Sequence, residues 1–210
     1  MGYFPFFMDI AGKKGVIVGG GKVAARKVEK LIPFGPVLTV VASRVEECVR
    51  RQEKGNMPSS LFFMEREFRT EDVDGADFVI AATDDERLNR QISDLCKARK
   101  IPVNVVDDKK KCTFFFPALI REGSLTVGIS TDGKSPVAAA WMRQEISGML
   151  PENLGDVVDL MGQIRPWVME KIGEESARKA ILERMFLYCL ERGGRVTVTE
   201  LQEAFVDFKG

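Results

Sequence analysis

The stretch KKGVIVGGGKVAARK, residues 13–27, joins a short apolar run to a helix-like segment through three consecutive glycines. Residues 16–18 are typical of a buried strand, whereas residues 22–32 place their apolar side chains on one face of a helix. A strand that meets a helix through a glycine turn is the usual opening of a βαβ unit. We therefore expect an α/β domain whose first strand and helix lie at this point of the chain.

The pattern continues as strands and helices in alternation over the first half of the chain. This order, β-α-β-α-β-β-α-β, predicts a Rossmann-like parallel sheet over residues 1–112, with helices on both faces. The further strands are predicted at residues 37–42, 61–64, 77–83 and 102–106, and the further helices at residues 44–54 and 86–99.

A different pattern follows the parallel sheet. The runs CTFFFPALI and SLTVGIS predict two strands, and Ser135 with Pro136 starts a helix. We expect a small α+β region at residues 113–150, followed by a helical C-terminal domain at residues 151–210. The last helices are predicted at residues 175–192 and from Thr199, with Gln202 completing a capping box.

Composition excludes several classes of function. Lys and Arg number 31, as do Asp and Glu, so no net charge favours nucleic acid or a membrane surface. No apolar run approaches the roughly 20 residues that a membrane span needs. The four cysteines are scattered, which predicts reduced thiols in a cytoplasmic protein, and the absence of histidine excludes His-based triads and His-ligated zinc.

The glycine turn carries the first candidate site. Gly19, Gly20, Gly21, Lys22, Val23 and Ala24 match the pattern G-x-G-x-x-A, which favours a tight turn, close approach of a diphosphate and close packing of the helix on the sheet. The helix amino end then faces the phosphates. The alternative is a glycine-rich turn without a ligand, but its place in the first βαβ unit favours a dinucleotide.

The end of the second predicted strand leaves the choice of dinucleotide open. Dinucleotide sites usually place an acidic residue there to hold the ribose, but the sequence reads Ser43-Arg44, and no acid occurs before Glu46. Ser43 can bind a ribose hydroxyl, and Arg44 can favour the 2′-phosphate of NADP. A solvated Arg44 at the start of a helix is an equal alternative.

Two further candidate positions follow the fourth and fifth parallel strands. Thr83 can line the nicotinamide ribose, and Asp84 or Asp85 can bind there or simply cap the next helix. Asp107 follows the fifth strand and is expected at the same edge of the sheet, although a loop aspartate is more often solvated than catalytic.

Several stretches together resemble a known family. VIVGGGKVAARK, ATDDERLN, VNVVDD and FFFPALIREGSLTVGISTDGKSP are similar to the dehydrogenase domains of siroheme synthases, the precorrin-2 dehydrogenase / sirohydrochlorin ferrochelatase family, in its stand-alone form. The resemblance covers about residues 1–150. It implies NAD-dependent oxidation of precorrin-2, a tetrapyrrole rimmed by carboxylates, to sirohydrochlorin. It also implies a homodimer and makes residues 113–150 the dimerisation and substrate region. Phe114, Phe115 and Phe116 can flank the flat macrocycle, but their place in a predicted strand favours the core of the sheet and dimer. Some members of the family also insert ferrous iron.

The resemblance also assigns roles to residues. It places the functional aspartate of the family on Asp107 and the NAD contacts on the glycine turn, Lys22, Val23, Ser43 and Arg44, and so favours NAD. Lys134, Ser135 and Arg143 are candidates to bind the substrate carboxylates. In the loop before Ser135, Asp132 stands where the family pattern has a glycine, which adds negative charge near an acidic substrate.

Two other functions fit the same residues. One is an NAD(H)-sensing regulatory module, in which the Rossmann domain binds nucleotide and the helical tail contacts a partner. The other is a dehydrogenase for another small acid, because a fold alone does not name a substrate. Loss of turnover with retained NAD binding after Asp107→Ala favours the enzyme over the sensor.

Overall fold

The computed structural model describes residues 4–53, 60–193 and 195–206. The chain forms two compact units, residues 1–116 and residues 117–210. The first unit is a five-stranded sheet in the order β3-β2-β1-β4-β5, and all of its strand pairs are parallel, so the predicted α/β class is confirmed. Its elements are β1 Lys14–Val18, α1 Lys22–Leu31, β2 Val37–Ala42, α2 Glu47–Arg50, β3 Ser60–Glu65, β4 Phe78–Ala81, α3 Glu86–Ala98 and β5 Val103–Val105.

The central strands of this sheet are buried on both faces. Ile17 of β1 packs in the cluster formed with α1 and α2, whereas its neighbours Val16 and Val18 pack in the cluster formed with α3. Successive side chains of a strand point to opposite faces, so a strand with both faces covered needs an unbroken apolar run. This requirement explains why β1 and β4 lack the alternation of polar and apolar residues.

The aromatic run at residues 114–116 does not form the predicted strand. The next strand begins only at Ala118. Instead, Phe114 and Phe116 pack against the cluster of β1, α1 and α2, and the amide nitrogen of the buried Asn104 side chain donates to the carbonyl oxygen of Phe114 at 3.1 Å. The run is apolar because it covers this face of the sheet. A buried strand needs apolar residues as well, so the sequence pattern does not distinguish the two.

The outer edge of β5 is paired with the segment that follows it. Val103 exchanges 2.8 Å hydrogen bonds with Thr113, donating to its hydroxyl oxygen and accepting from its backbone N–H. The backbone N–H of Val105 donates to the sulfur of Cys112 at 3.1 Å, and the thiol approaches the Val105 carbonyl oxygen at 3.2 Å. Two side chains and one backbone amide therefore take the place of a sixth strand.

The described part of the second unit contains an antiparallel hairpin and four helices. The hairpin pairs its two strands from Ala118↔Ile129 to Glu122↔Leu125. The last three of these helices share an apolar cluster that includes Ile164, Ile181 and Leu201, all fully buried. The division of this unit into a dimerisation region and a helical domain stays a prediction. Its elements are β6 Ala118–Glu122, β7 Leu125–Ile129, α4 Pro136–Met149, α5 Leu154–Lys171, α6 Glu175–Glu191 and α7 Val198–Phe205.

A close backbone contact joins α5 to this hairpin. A Cβ atom on Gly155 would lie 2.5 Å from the carbonyl oxygen of Glu122, so only glycine fits there. Beside it, the turn residue Gly123 has φ of 56°, and the backbone N–H of Ser124 donates to Asp159 of α5 at 3.2 Å. The first turns of α5 therefore lie directly on the hairpin loop.

Two predicted helix boundaries are wrong. In place of a helix at residues 44–54, α2 covers only Glu47–Arg50 and continues as a 3-10 turn at Arg51–Glu53, while residue 54 lies outside the described residues. The capping box of α7 consists of Thr197 and Glu200 rather than Thr199 and Gln202, with the Thr197 backbone N–H donating to Glu200 at 2.7 Å. In the described ranges we find no helix with the length and apolar character to cross a bilayer.

Candidate dinucleotide site

The glycine turn follows β1 and packs against the end of β4. Gly19 has φ of 123°, and a Cβ atom on it would lie 2.3 Å from the carbonyl oxygen of Ala82. Its backbone N–H donates to the Val41 carbonyl oxygen at 2.9 Å, which ties the turn to β2 as well. Both the positive φ and the close approach require glycine at this position.

The second glycine packs on the loop that leaves β2. A Cβ atom on Gly20 would lie 2.2 Å from the carbonyl oxygen of Arg44. The Gly20 carbonyl oxygen accepts a 2.9 Å hydrogen bond from the backbone N–H of Glu46. The glycine turn and the loop at residues 43–46 are therefore locked together.

The third glycine leaves the amino end of α1 open. Gly21 is the N-cap residue of α1 and supplies no capping side chain. A Cβ atom on it would meet only one described atom within 4 Å, a carboxylate oxygen of Glu46 at 3.5 Å. The first N–H groups of an α-helix have no carbonyl partner within the helix, and together with the helix dipole they bind anions such as a diphosphate. Lys22 and Val23, both exposed, form this first turn.

The residues predicted after β2 lie beside the turn. Ser43 and Arg44 directly follow β2, which pairs with β1, and both are exposed. Because the carboxyl ends of neighbouring parallel strands share one edge of the sheet, the structure brings them together with the glycine turn.

Thr83 follows β4 and is held by a buried asparagine. Its hydroxyl donates to Asn89 at 2.8 Å, and the Asn89 side chain donates back to the Thr83 carbonyl oxygen at 2.9 Å. Asp85 is the N-cap residue of α3, and its carboxylate accepts from the backbone N–H groups of Arg87 and Leu88. Asp84 is therefore not the cap, and its side chain is exposed. Asn89 was not predicted from the sequence. It is 5% exposed and lies one helical turn beyond the cap. The sequence feature that could have indicated Asn89 is its position as a polar residue beside the apolar stripe of α3.

Asp107 lies at the same edge of the sheet, in the turn after β5. It is exposed and has φ of 60°, a left-handed conformation that aspartate tolerates better than most residues. The backbone N–H of the preceding Val106 donates to the Ala81 carbonyl oxygen at 3.0 Å, which fixes this turn to the end of β4. Its neighbour Asp108 has a different task, since its carboxylate lies 2.6 Å from the Lys111 ammonium and caps a short 3-10 turn.

Lys27 of α1 is a charged neighbour of Asp107 that was not predicted from the sequence. Burial, and then the nearby charge of Lys30, lowers the pKa of Lys27 to about 8, while Cys112 and Asp107 act in the opposite direction. The Coulombic effect of Asp107 places its carboxylate within electrostatic reach of this ammonium group. The spacing along α1 could have indicated that Lys27 is partly buried, because it lies three residues after the buried Ala24 and four before the buried Leu31.

The candidate substrate residues belong to the second unit. Ser135 caps α4, its hydroxyl accepting from the Ala138 backbone N–H at 3.1 Å, and Lys134 and Arg143 are exposed. Asp132 adopts φ of 56° in the loop before them, a left-handed conformation that favours glycine, the residue expected there from the family resemblance. Among the residues that the structure describes, no three acidic or cysteine side chains converge to hold a metal ion.

Comparisons with known proteins agree with this geometry. A family model of NAD(P)-binding domains matches residues 6–118, and a model of the central region of sirohaem biosynthesis proteins matches residues 122–149. A siroheme synthase of Neisseria meningitidis serogroup C (strain 053442) is 34% identical over 186 residues, covering 89% of this chain and 38% of that protein. A siroheme synthase of Photorhabdus laumondii is 37% identical over 187 residues, with 89% and 39% covered.

The chain thus spans about two fifths of the length of the curated relatives it matches. Among solved structures, that of SirC, a precorrin-2 dehydrogenase, has a TM-score of 0.67 and 22% sequence identity, and the match covers 96% of both chains. This likeness shows that the two chains share a fold.

Proposed function

This chain belongs to the siroheme synthase family of NAD(P)-binding proteins, and we propose that it oxidises precorrin-2 to sirohydrochlorin with NAD as the hydride acceptor. One arrangement carries the proposal. The open amino end of α1 and the carboxylate-bearing turn of Asp107 lie at the same edge of one parallel sheet. A dinucleotide whose diphosphate binds at the amino end of α1 can place its nicotinamide ring near Asp107. Ligands bind at the carboxyl ends of the strands in such folds.

The chain supplies the binding groups for the dinucleotide. The N–H groups of the first turn of α1, at Lys22 and Val23, receive the diphosphate, and Gly21 leaves room for its approach. Ser43 and Arg44 receive the adenosine ribose, while Thr83 and Asp84 line the ribose of the nicotinamide. Bound nicotinamide supplies the two-electron acceptor for the reaction.

Asp107 removes the proton that the oxidation releases. Precorrin-2 loses a hydride to the nicotinamide and a proton to a base, which together account for the two hydrogens lost in forming sirohydrochlorin. With no histidine in the chain, a carboxylate is a suitable acceptor, provided that it lies within hydrogen-bond reach of the reacting carbon.

The second unit binds the carboxylate rim of the substrate. Lys134, Ser135 and Arg143 offer two cations and a hydroxyl, groups that form charge-assisted hydrogen bonds to carboxylates. We also propose that this unit forms a homodimer and that the protein works in the cytoplasm. On α4, Val137 and Met149 are each 80% exposed and Trp141 is 54% exposed, which supports an apolar interface.

The test is turnover by variants of Asp107. Asp107→Asn keeps a residue that tolerates a positive φ but removes the proton acceptor, so we expect sirohydrochlorin and NADH formation to fall at least about a hundredfold. NADH binding, measured by fluorescence titration, should stay at the wild-type level. Asp108→Asn is the matched control, since its carboxylate pairs with Lys111 and lies outside the proposed chemistry.

The same assay separates the alternatives. Wild-type turnover by Asp107→Asn would contradict the role of this carboxylate, whereas NADH binding without any precorrin-2 oxidation by the wild type would favour a nucleotide sensor. Addition of ferrous iron to the finished reaction tests metal insertion, in which Asp107 would accept the pyrrole protons. Siroheme formation faster than in a protein-free control supports that second step.

A further inference from the structure

The loop after β2 carries a carboxylate that has no assigned role. Glu46 lies three residues beyond Ser43, later in the chain than the position at which an acidic residue is expected in dinucleotide folds. Its backbone N–H nevertheless donates to Gly20 at 2.9 Å, and one of its carboxylate oxygens lies 3.5 Å from where a Cβ of Gly21 would be. The fold therefore returns this side chain to the phosphate-binding turn.

Local structure does not account for this position. Glu46 is the N-cap residue of α2, but its side chain makes no capping hydrogen bond. Within the described residues, its one side-chain hydrogen bond comes from the Cys48 thiol at 3.6 Å, a weak donor, and reaches only the second carboxylate oxygen. The oxygen that faces Gly21 remains available to accept a hydrogen bond.

We propose that Glu46 selects NAD over NADP by accepting a hydrogen bond from the 2′-hydroxyl of the adenosine ribose. This inference rests on the proposed nucleotide site. A ribose hydroxyl donates to a carboxylate, whereas the 2′-phosphate of NADP brings two negative charges to the same place and is repelled.

Arg44 in the same loop opposes this selection. It is exposed, and a guanidinium favours a 2′-phosphate. The two residues differ in how they are held, since the Glu46 backbone is bonded to the glycine turn and its carboxylate lies against Gly21. Glu46 thus has the better-defined position beside the glycine turn, and its charge decides the preference.

The inference is tested by titrating NADH and NADPH into the wild type and into Glu46→Gln. The wild type should bind NADH at least about tenfold more tightly than NADPH. Glu46→Gln preserves the shape and removes the charge, so NADPH binding should tighten by about tenfold while NADH binding weakens by a few-fold. The control is Glu47→Gln, which makes the same change of net charge at a carboxylate paired with Arg51 at 3.4 Å.

The outcomes distinguish this inference from the proposed function. If both nucleotides bind but Glu46→Gln and Glu47→Gln change the ratio of their dissociation constants equally, Glu46 does not select and the inference fails alone. A wild type that prefers NADPH likewise overturns the selection by Glu46 and leaves the nucleotide site in place. If the wild type binds neither nucleotide, the proposed function fails together with the inference.

Discussion

The ammonium nitrogen of Lys27 lies 4.0 Å above the ring centre of Phe116. An aromatic face attracts a cation, but it replaces water only in part, and this lysine is also half-buried beside Lys30. The balance favours the neutral amine and lowers the pKa of Lys27 to about 8. The first unit therefore carries a lysine that changes its charge near neutral pH.

This lysine makes stability depend on pH. Between pH 8 and 10.5, the unfolded chain keeps a proton on Lys27 that the folded chain releases, so the free energy of unfolding rises with pH in this window. After allowance for solvent screening, we expect a rise of about 1–2 kcal/mol. Urea denaturation at pH 7.5 and pH 10 should show it in the wild type and in the exposed-site control Lys22→Met, but not in Lys27→Met. An equal rise in Lys27→Met would contradict the assignment.

Alanine substitutions at two glycines of the turn should have different effects, one on stability and the other on NADH binding. Gly19→Ala meets both a positive φ and the Ala82 carbonyl oxygen at 2.3 Å, so we expect the free energy of unfolding to fall by about 2–4 kcal/mol. Gly21→Ala has ordinary backbone angles and its nearest atom at 3.5 Å, so the fold should persist. Its methyl group would nevertheless occupy the approach of the diphosphate and weaken NADH binding at least about tenfold.

Thermal unfolding and NADH titration on the same preparations check both results. Gly21→Ala that unfolds like Gly19→Ala would show that the turn tolerates no side chain at either position. Gly21→Ala that binds NADH as the wild type does would place the diphosphate elsewhere.

The fold was predictable where a single physical requirement acts on the sequence. β1 and β4 are buried on both faces, which demands an unbroken apolar run, and the run of glycines between β1 and α1 follows from the close contacts of Gly19 and Gly20. From these features the sequence predicts the parallel sheet, the order of its elements along the chain and the glycine turn. The aromatic run at residues 114–116 was misassigned because packing over a sheet and forming a strand both select apolar residues.

The site was less predictable because long-range contacts build it. Glu46 reaches Gly21 only through the path of the loop after β2, and Asn89 holds Thr83 across the start of α3. Asp107 was assigned from its place after the last parallel strand and from the family resemblance. The surroundings of Lys27 include the ring of Phe116, which lies 89 positions further along the sequence, so spacing along α1 alone gives no measure of the pKa of this lysine.

A matched pair of glycines on α5 tests the contact with the hairpin. Gly155→Ala would place a methyl group 2.5 Å from the Glu122 carbonyl oxygen, so the free energy of unfolding should fall by about 2–4 kcal/mol. Gly162→Ala, on the same helix with nothing within 4 Å, should raise it by about 0.5–1 kcal/mol, because alanine favours the helix. Urea denaturation of the two variants compares them directly, and similar stabilities would show that α5 can move away from the hairpin at little cost.

The paired outer edge of β5 has a consequence for self-association. A strand whose outward N–H and C=O groups are free is a template on which another chain can add a strand, and so begin an aggregate. In this protein, Thr113 and Cys112 already bind those groups of Val103 and Val105. Alkylation of Cys112 would remove the S–H that approaches the Val105 carbonyl oxygen, so part of the resistance of the sheet to fibrous growth at this end depends on one reduced thiol.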